Sequence, residues 1–165
     1  MNSERDFLTK IEKHRGIIFK ISKMYMDCIE DQEDLFQEIV YQTWKAYPNF
    51  KGLSDFSTWL YRIAINTAIL FLKNEKKKRN LFSEPQSYFD VSAERENNNI
   101  EEQTQEMYRA IQQLNPIDKA LIFYYLEDYS GREIALQLGL TEANARVKMN
   151  RAKLKLKNIL HKNGL

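Results

Sequence analysis

Cysteine is almost missing from this 165-residue chain. The single Cys28 has no partner for an internal disulfide and suits a reducing, cytoplasmic setting. Histidine is equally sparse. His14 and His161 stand alone, and no HExxH, CxxC or glycine-rich phosphate loop occurs, so no metal, no cofactor and no catalytic residue is expected. Five glycines and three prolines are few, and strand-like alternation is hard to find, which points to helix nearly throughout. Long apolar runs are absent too. The most apolar stretch, Ile63 to Leu72, contains Asn66 and falls far short of the roughly 20 residues a membrane span needs. Met1 to Lys23 mixes charges throughout, so no signal peptide is expected.

What the chain does have is charge in blocks. The formal net charge of +2 conceals a basic, an acidic and a second basic region. The first ends in Lys76, Lys77, Lys78 and Arg79. From Leu81 to Met107, Glu84, Asp90, Glu94, Glu96, Glu101, Glu102 and Glu106 face only Arg95. From Arg146 onward there is no acid, while Arg146, Lys148, Arg151, Lys153, Lys155, Lys157 and Lys162 are basic. Two modules for anionic ligands, joined by a segment that does not bind nucleic acid, would give this layout. Solvated lysine-rich helix faces are the plainer alternative.

The periodicity divides the chain into a helical module over residues 1–80, an acidic flexible linker over 81–104, and a second helical module over 105–165. Phe7, Leu8, Ile11, Ile17, Ile18, Ile21, Met24 and Tyr25 predict one or two amphipathic helices interrupted near Gly16. Asp31 is expected to open the next helix, with Leu35, Ile39, Val40, Thr43, Trp44 and Tyr47 as its buried stripe and Pro48 as its end. Residues 49–55 have loop composition. Phe56, Trp59, Leu60, Ile63 and Thr67 then mark the inner face of a further helix, with Tyr61, Arg62 and Asn66 pointing elsewhere. In the second module Asn115 as cap, Pro116 at the first helical position and Asp118 at the third mark a helix start.

Residues 129–156 read as a helix-turn-helix. Ser130 and Glu133 have capping-box spacing, Ile134, Ala135 and Leu138 form an apolar face, and Gly139 stands where the turn needs positive φ. Thr141 caps a second helix whose positions Ala145, Met149, Ala152 and Leu156 face the core. Ala143, Arg146, Val147, Asn150 and Arg151 lie on the other side, suited to a DNA groove. A helical hairpin for protein contacts is the competing reading, and it leaves the basic second helix, acid-free from Arg146 onward, unexplained.

Two patches in the first module are candidate contact surfaces. Asp34, Gln37, Glu38 and Tyr41 lie opposite the Leu35/Val40/Trp44 stripe, either as a partner site or as an ordinary polar face. The acids Asp31, Glu33, Asp34 and Glu38 fit helix-start positions better than a catalytic carboxylate pair. Residues 50–66 combine aromatic and basic side chains as a single-strand binder would, where stacking contributes roughly 1–3 kcal/mol per base. Trp59 shares helical phase with Phe56, Leu60 and Ile63, which favours a core role over base stacking.

In this order the pieces resemble an RNA polymerase sigma factor of the extracytoplasmic-function (ECF) type. DQEDLFQEIVYQTWKAYPNFKG resembles that family's polymerase-clamp-binding helix and following loop, FSTWLYRIAINTA its promoter-melting and minus-ten segment, and LNPIDKALIFYYLEDYSGREIALQLGLTEANARVKMNRAKLKL its minus-thirty-five domain. The resemblance implies an all-α fold of two small helical domains, the second a helix-turn-helix domain. It implies that Asp34, Gln37 and Glu38 bind core RNA polymerase. Phe50, Lys51, Gly52 and Ser54, with Asn66, would capture a flipped minus-ten base, while Arg62, Lys76, Lys77, Lys78 and Arg79 hold phosphates. Arg146, Val147, Asn150 and Arg151 would face the minus-thirty-five element, with Lys148 and Lys153 on phosphates. Ala145 and Asn150 depart from the family's usual residues, which bears on the promoter sequence read. The implied partners are core polymerase and promoter DNA, both duplex and melted strand. An anti-sigma factor is common in such families, though no residue here demonstrates one. A stand-alone helix-turn-helix regulator is the alternative; it predicts a dimer matched to half-site spacing, and no dimerisation heptad is evident.

Overall fold

The computed structural model describes residues 2–81 and 99–162. Most of the proposed acidic linker therefore lies outside the described residues. Its last part, 99–104, is helical. Among the described residues there are eight α-helices and no strand: α1 (Asn2–Lys13), α2 (Arg15–Tyr25), α3 (Ile29–Ala46), α4 (Phe56–Leu81), α5 (Asn99–Gln112), α6 (Pro116–Leu126), α7 (Gly131–Leu138) and α8 (Glu142–Lys162), with a 3₁₀ turn at Tyr47–Asn49.

Local chemistry explains most boundaries. The break between α1 and α2 falls at His14, whose ring Nδ1 meets the Lys10 carbonyl at 2.8 Å, and Gly16 lies inside α2 rather than at the break. α3 begins at Ile29, two residues before the expected Asp31. Cys28 precedes it in an extended conformation with no side-chain cap, and Gln32 Nε2 donates to the Met26 carbonyl at 2.9 Å to hold the entry. Glu30 and Asp31 then occupy the first turn, where the helix dipole favours acids. Pro48 converts the end of α3 into the 3₁₀ turn. α5 starts at Asn99, within the segment assigned by composition to the linker.

In the first module α2, α3 and α4 pack around Ile18, Ile21, Leu35, Ile39, Leu60 and Ile65, all fully buried. Trp44 departs from the expected stripe: it is 42% exposed, its ring tilted against Phe7 at 4.9 Å. In the second module Ile111, Leu114, Ile134, Met149 and Ala152 close a core around α6.

α6 joins the two cores. Five consecutive residues, Ala120 to Tyr124, are buried on every side. A helix apolar all round must be covered all round. α8 and α5 cover one side, and α2 and α4 of the first module cover the other. Tyr61 was expected to point away from the core. It is 8% exposed and edge-on to Phe123 at 5.2 Å and to Tyr129 at 5.8 Å. The phase of α4 alone could not show this, because the covering surface belongs to the other module.

Candidate nucleic-acid and polymerase interface

The outer face of α3 carries the first patch. Leu35 and Ile39 are fully buried, and helical spacing turns Asp34, Gln37 and Tyr41 to solvent. Glu38 is half-buried, and its Oε1 accepts from Gln42 Nε2 at 2.8 Å, one turn further along the same face. The arrangement is a rigid, polar, partly acidic surface on the back of a packed helix.

The loop after α3 stands on an aromatic base. Phe50 stacks on Tyr47 at 6.2 Å and packs against Trp59 at 4.9 Å and Phe56 at 5.6 Å. Lys10 Nζ lies 5.5 Å from both the Tyr47 and the Phe50 ring centroids. Tyr47 Oη donates to Asp6, and the Lys10–Asp6 ion pair at 3.1 Å completes the tie to α1. Those two partners hold the Asp6 carboxyl below its ordinary range, Tyr47 being the larger influence. Phe50 therefore spends much of its ring on the cluster, and Trp59 is half-buried there as its phase suggested. Lys51, Gly52, Leu53, Ser54 and Asp55 are all exposed, Leu53 at 93%. Gly52 has φ +70°, a conformation that side chains with a Cβ rarely adopt, and it lets the loop reverse over so short a span.

α4 continues the surface. Arg62 and Asn66 are exposed one turn apart, and Lys73, Lys76, Lys77 and Lys78 extend the positive charge along the helix. Lys78 lies 3.9 Å from Glu75, a contact too open to neutralise the cluster. Arg79 continues the helix. At about 1.5 Å per residue, Arg62 and Lys77 are roughly 22 Å apart, a track the length of several nucleotides.

The second module presents the helix-turn-helix in the expected form. Ser130 Oγ accepts from the Glu133 amide at 3.2 Å, and Glu133 Oε2 accepts from the Ser130 amide at 2.8 Å. Gly139 takes φ 67° at the end of α7, and Thr141 Oγ1 accepts from the Asn144 amide at 3.1 Å to start α8. Ala145, Met149 and Ala152 are buried, leaving Arg146, Val147, Asn150 and Arg151 exposed as one face. Lys148 is half-buried beside that face. Lys153 is turned toward α6, its Nζ 3.8 Å from the Tyr125 ring centroid. Lys155, never a candidate reader, pairs with Asp118 at 3.0 Å and braces α8 against the start of α6.

Sequence reasoning missed a group of residues between the modules. Glu127, just after α6, accepts from Lys20 Nζ at 2.6 Å and from Tyr61 Oη at 3.1 Å. Thr58 Oγ1 and Tyr129 Oη lie 3.1 Å apart. Tyr25 Oη donates to the Pro116 carbonyl at 2.9 Å, and Gln112 Nε2 donates to the Lys23 and Met26 carbonyls at 2.8 and 3.2 Å. Lys119, only 3% exposed, rests over the Tyr25 ring at 5.2 Å, and burial pulls its pKa down to about 8. Burial raises the Tyr25, Tyr61 and Tyr124 phenols well above their usual range. None of these residues forms a local motif, so only the assembled fold reveals them.

Among the described residues no three His, Cys, Asp or Glu side chains gather into a group able to hold a metal, and no helix is long and apolar enough to cross a membrane.

Comparison with known proteins accounts for both modules. Residues 11–78 match the Sigma-70 region 2 family, and residues 104–156 match the Sigma-70, region 4 family. The ECF RNA polymerase sigma factor SigG of Mycobacterium tuberculosis (strain ATCC 25618 / H37Rv) is 36% identical over 73 residues, 44% of this chain and 20% of that protein. The RNA polymerase sigma-H factor of Pseudomonas aeruginosa is 37% identical over 65 residues, covering 39% of this chain and 34% of that protein. The ECF RNA polymerase sigma-E factor of Escherichia coli (strain K12) is 48% identical over 42 residues, covering 26% and 22%. The chain thus spans about a third or less of the length of these curated relatives. Two solved structures share the fold over nearly the whole chain at 18% identity. The co-crystal structure of the sigma factor RpoE with the anti-sigma factor NepR from Bartonella quintana matches with a TM-score of 0.69, covering 95% of this chain and 98% of that one. The structure of CnrH with the cytosolic domain of CnrY matches with a TM-score of 0.64, covering 96% and 90%. Region 2 and region 4 fall on the two modules in chain order, and the chain belongs to the ECF sigma factors of the sigma-70 family.

Proposed function

We propose that this protein directs core RNA polymerase to specific promoters and helps to open them, acting in the cytoplasm as a binding protein rather than a catalyst. The observation that carries the reading is the pairing of two exposed surfaces on one chain: the basic face of α8 in the second module, and the Lys51–Asp55 loop with Arg62 and Asn66 in the first. A regulator that binds only duplex DNA needs the α8 face. It has no use for a solvent-exposed loop and basic helix on a second module.

The labour divides by DNA form. α8 enters a duplex groove, where Arg146, Val147, Asn150 and Arg151 meet base edges and Lys148 positions the backbone. Lys153 would reach phosphate by leaving the Tyr125 ring, which costs about 0.5–1 kcal/mol at an exposed site. In the first module the Lys51–Ser54 loop and Asn66 hold an extruded minus-ten base. Arg62 and the cluster Lys76, Lys77, Lys78 and Arg79 run along the strand, and together these contacts offset an unstacking cost of a few kcal/mol. Phe50 serves as the floor of this site more than as a stacking partner, since its ring is already packed. Asp34, Gln37 and Glu38 dock on core polymerase. An anti-sigma factor, of the kind bound to RpoE in the Bartonella quintana structure, is a further partner class for this fold.

Co-purification with core polymerase tests the assignment. Glu38→Lys should reduce retention on core at least tenfold while the variant stays folded. Equal retention of Glu38→Lys and the unaltered protein would contradict the docking role of α3.

A further inference from the structure

We infer that Lys10 and Asp6 of α1, acting through Tyr47, are positioning residues for the minus-ten loop, holding residues 51–54 where they can select an extruded base. This rests on the promoter-reading role proposed above and adds to it residues that act at one remove from the DNA.

The loop has almost nothing of its own to hold it. Lys51, Gly52, Leu53, Ser54 and Asp55 are all exposed, and the bond from the Ser54 hydroxyl to the Asp55 carbonyl is long, at 3.4 Å. Its shape is therefore set at its two ends, Phe50 and Phe56. Both ends rest on one ring. Tyr47 lies 6.2 Å from Phe50 and 6.4 Å from Phe56, and the two phenylalanines meet edge-on at 5.6 Å. A shift of Tyr47 moves both ends of the loop together. Selecting one base over another needs contacts placed to a fraction of an ångström, so whatever fixes Tyr47 bears on the reading.

α1 fixes it. Asp6 and Lys10 stand one turn apart with the acid first, the favourable order on a helix, and pair at 3.1 Å. Lys10 Nζ also donates to Tyr47 Oη at 3.2 Å, and Tyr47 Oη donates in turn to Asp6. Each of the three groups is thus tied to both others. The same ammonium lies 5.5 Å from the Tyr47 and Phe50 ring centroids and 5.9 Å from that of Phe56, so a single cation faces all three supports of the loop. An exposed ion pair alone contributes little. The Asp6 and Lys10 side chains are 55% and 34% exposed, so the weight rests on the shared hydroxyl and the rings rather than on the pair. Tyr47 first and Asp6 second hold the Lys10 ammonium above its ordinary range, which keeps the tie charged. Ring packing alone would hold Tyr47 without its hydroxyl, and Tyr47→Phe separates the two.

Selection of short single-stranded DNA of random sequence on the holoenzyme, the full-length protein with core polymerase, tests the role. The unaltered holoenzyme should enrich one base at one position. Lys10→Met and Tyr47→Phe should each lower that enrichment about tenfold, the effect of one lost charge-assisted hydrogen bond, with retention on core unchanged. Tyr47→Phe keeps every ring contact and should stay folded, which a thermal melt checks. Lys10→Arg should restore much of the enrichment, and Lys13→Met, which takes an exposed charge from the same helix, should leave it intact. In the free protein, amide nitrogen relaxation should show Gly52, Leu53 and Ser54 gaining mobility in Lys10→Met and Tyr47→Phe but not in Lys10→Arg. Enrichment equal to the parent's in both variants would overturn the inference, as would loop mobility that neither variant changes. An equal loss of affinity for every sequence would also overturn it, by making Lys10 a plain phosphate contact. If the unaltered holoenzyme enriches no base, the base-capture role fails, while relaxation of the free protein still decides whether Lys10 and Tyr47 set the loop.

Discussion

The Tyr61 hydroxyl donates to Glu127 at 3.1 Å, so the residue immediately before Arg62 is bonded to the turn that leads into the helix-turn-helix. One helix therefore serves two surfaces. Its Arg62–Asn66 side faces solvent, and its Tyr61 side is buried against α6. The proposed DNA contacts of one module and the packing of the other are separated by a single step along α4.

Lys119 makes the packing sensitive to pH. Its ordinary value is 10.5 and burial lowers it to about 8, so between those values the unfolded chain holds a proton that the packed state has lost. Stability should rise with pH across that window, because the penalty for a buried ammonium is fully present below about 8 and is relieved above it. The raised tyrosines act in the opposite sense above about pH 10, where the packed state keeps protons that the unfolded chain releases. Lys119→Met should leave stability at pH 7 equal or higher, by up to about 3 kcal/mol, and should flatten the rise between pH 8 and 10. Urea melts at a series of pH values measure both effects.

Phe50 and its neighbours in the loop should separate cleanly by thermodynamics. Phe50→Ala removes a ring packed on Trp59 and Phe56 and should cost about 2 kcal/mol, since a half-buried ring loses less than a fully buried one. Lys51→Ala and Ser54→Ala remove exposed side chains and should stay within about 0.5 kcal/mol of the parent. Those two substitutions should instead slow promoter opening by the holoenzyme, followed by permanganate reactivity of unpaired thymines. Loss of stability from Lys51→Ala, with opening intact, would remove the loop from the site.

Much of this was legible beforehand, for a physical reason. The capping box at Ser130, the Gly139 turn and the Asn115–Pro116 start are local chemistry, completed within four residues, and each stands where the sequence put it. The exposed side of α8 follows from the period of Ala145, Met149 and Ala152 alone. What escaped depended on distant partners. Tyr61 is buried by α6, and Glu127 acquires its role from Lys20, 107 residues away. The start of α3 was placed two residues late because Cys28 provides no side-chain cap, and the entry is held instead by Gln32 reaching back to Met26. Ile100 is 75% exposed on α5, so acid-rich composition concealed a helix whose early turns have little core to signal it.

Contacts of α8 should divide into those that read sequence and those that only hold DNA. Arg146→Ala should cost the holoenzyme about 1–3 kcal/mol at its own promoter and relax the preference at one position of the upstream element. Lys148→Ala should weaken all templates about equally and reduce the slope of log affinity against log salt by about 1. Competition binding at several salt concentrations distinguishes the two, and the reverse pattern would exchange their roles.

Joined to core RNA polymerase, this chain is proposed to select and open promoters through its two modules. In vitro transcription on templates from its source genome, with core polymerase and purified protein, measures this directly. Discrete transcripts that core alone does not make should appear, and they should disappear with Glu38→Lys or Arg146→Ala. Transcripts independent of the added protein, or none on any candidate template, would contradict it.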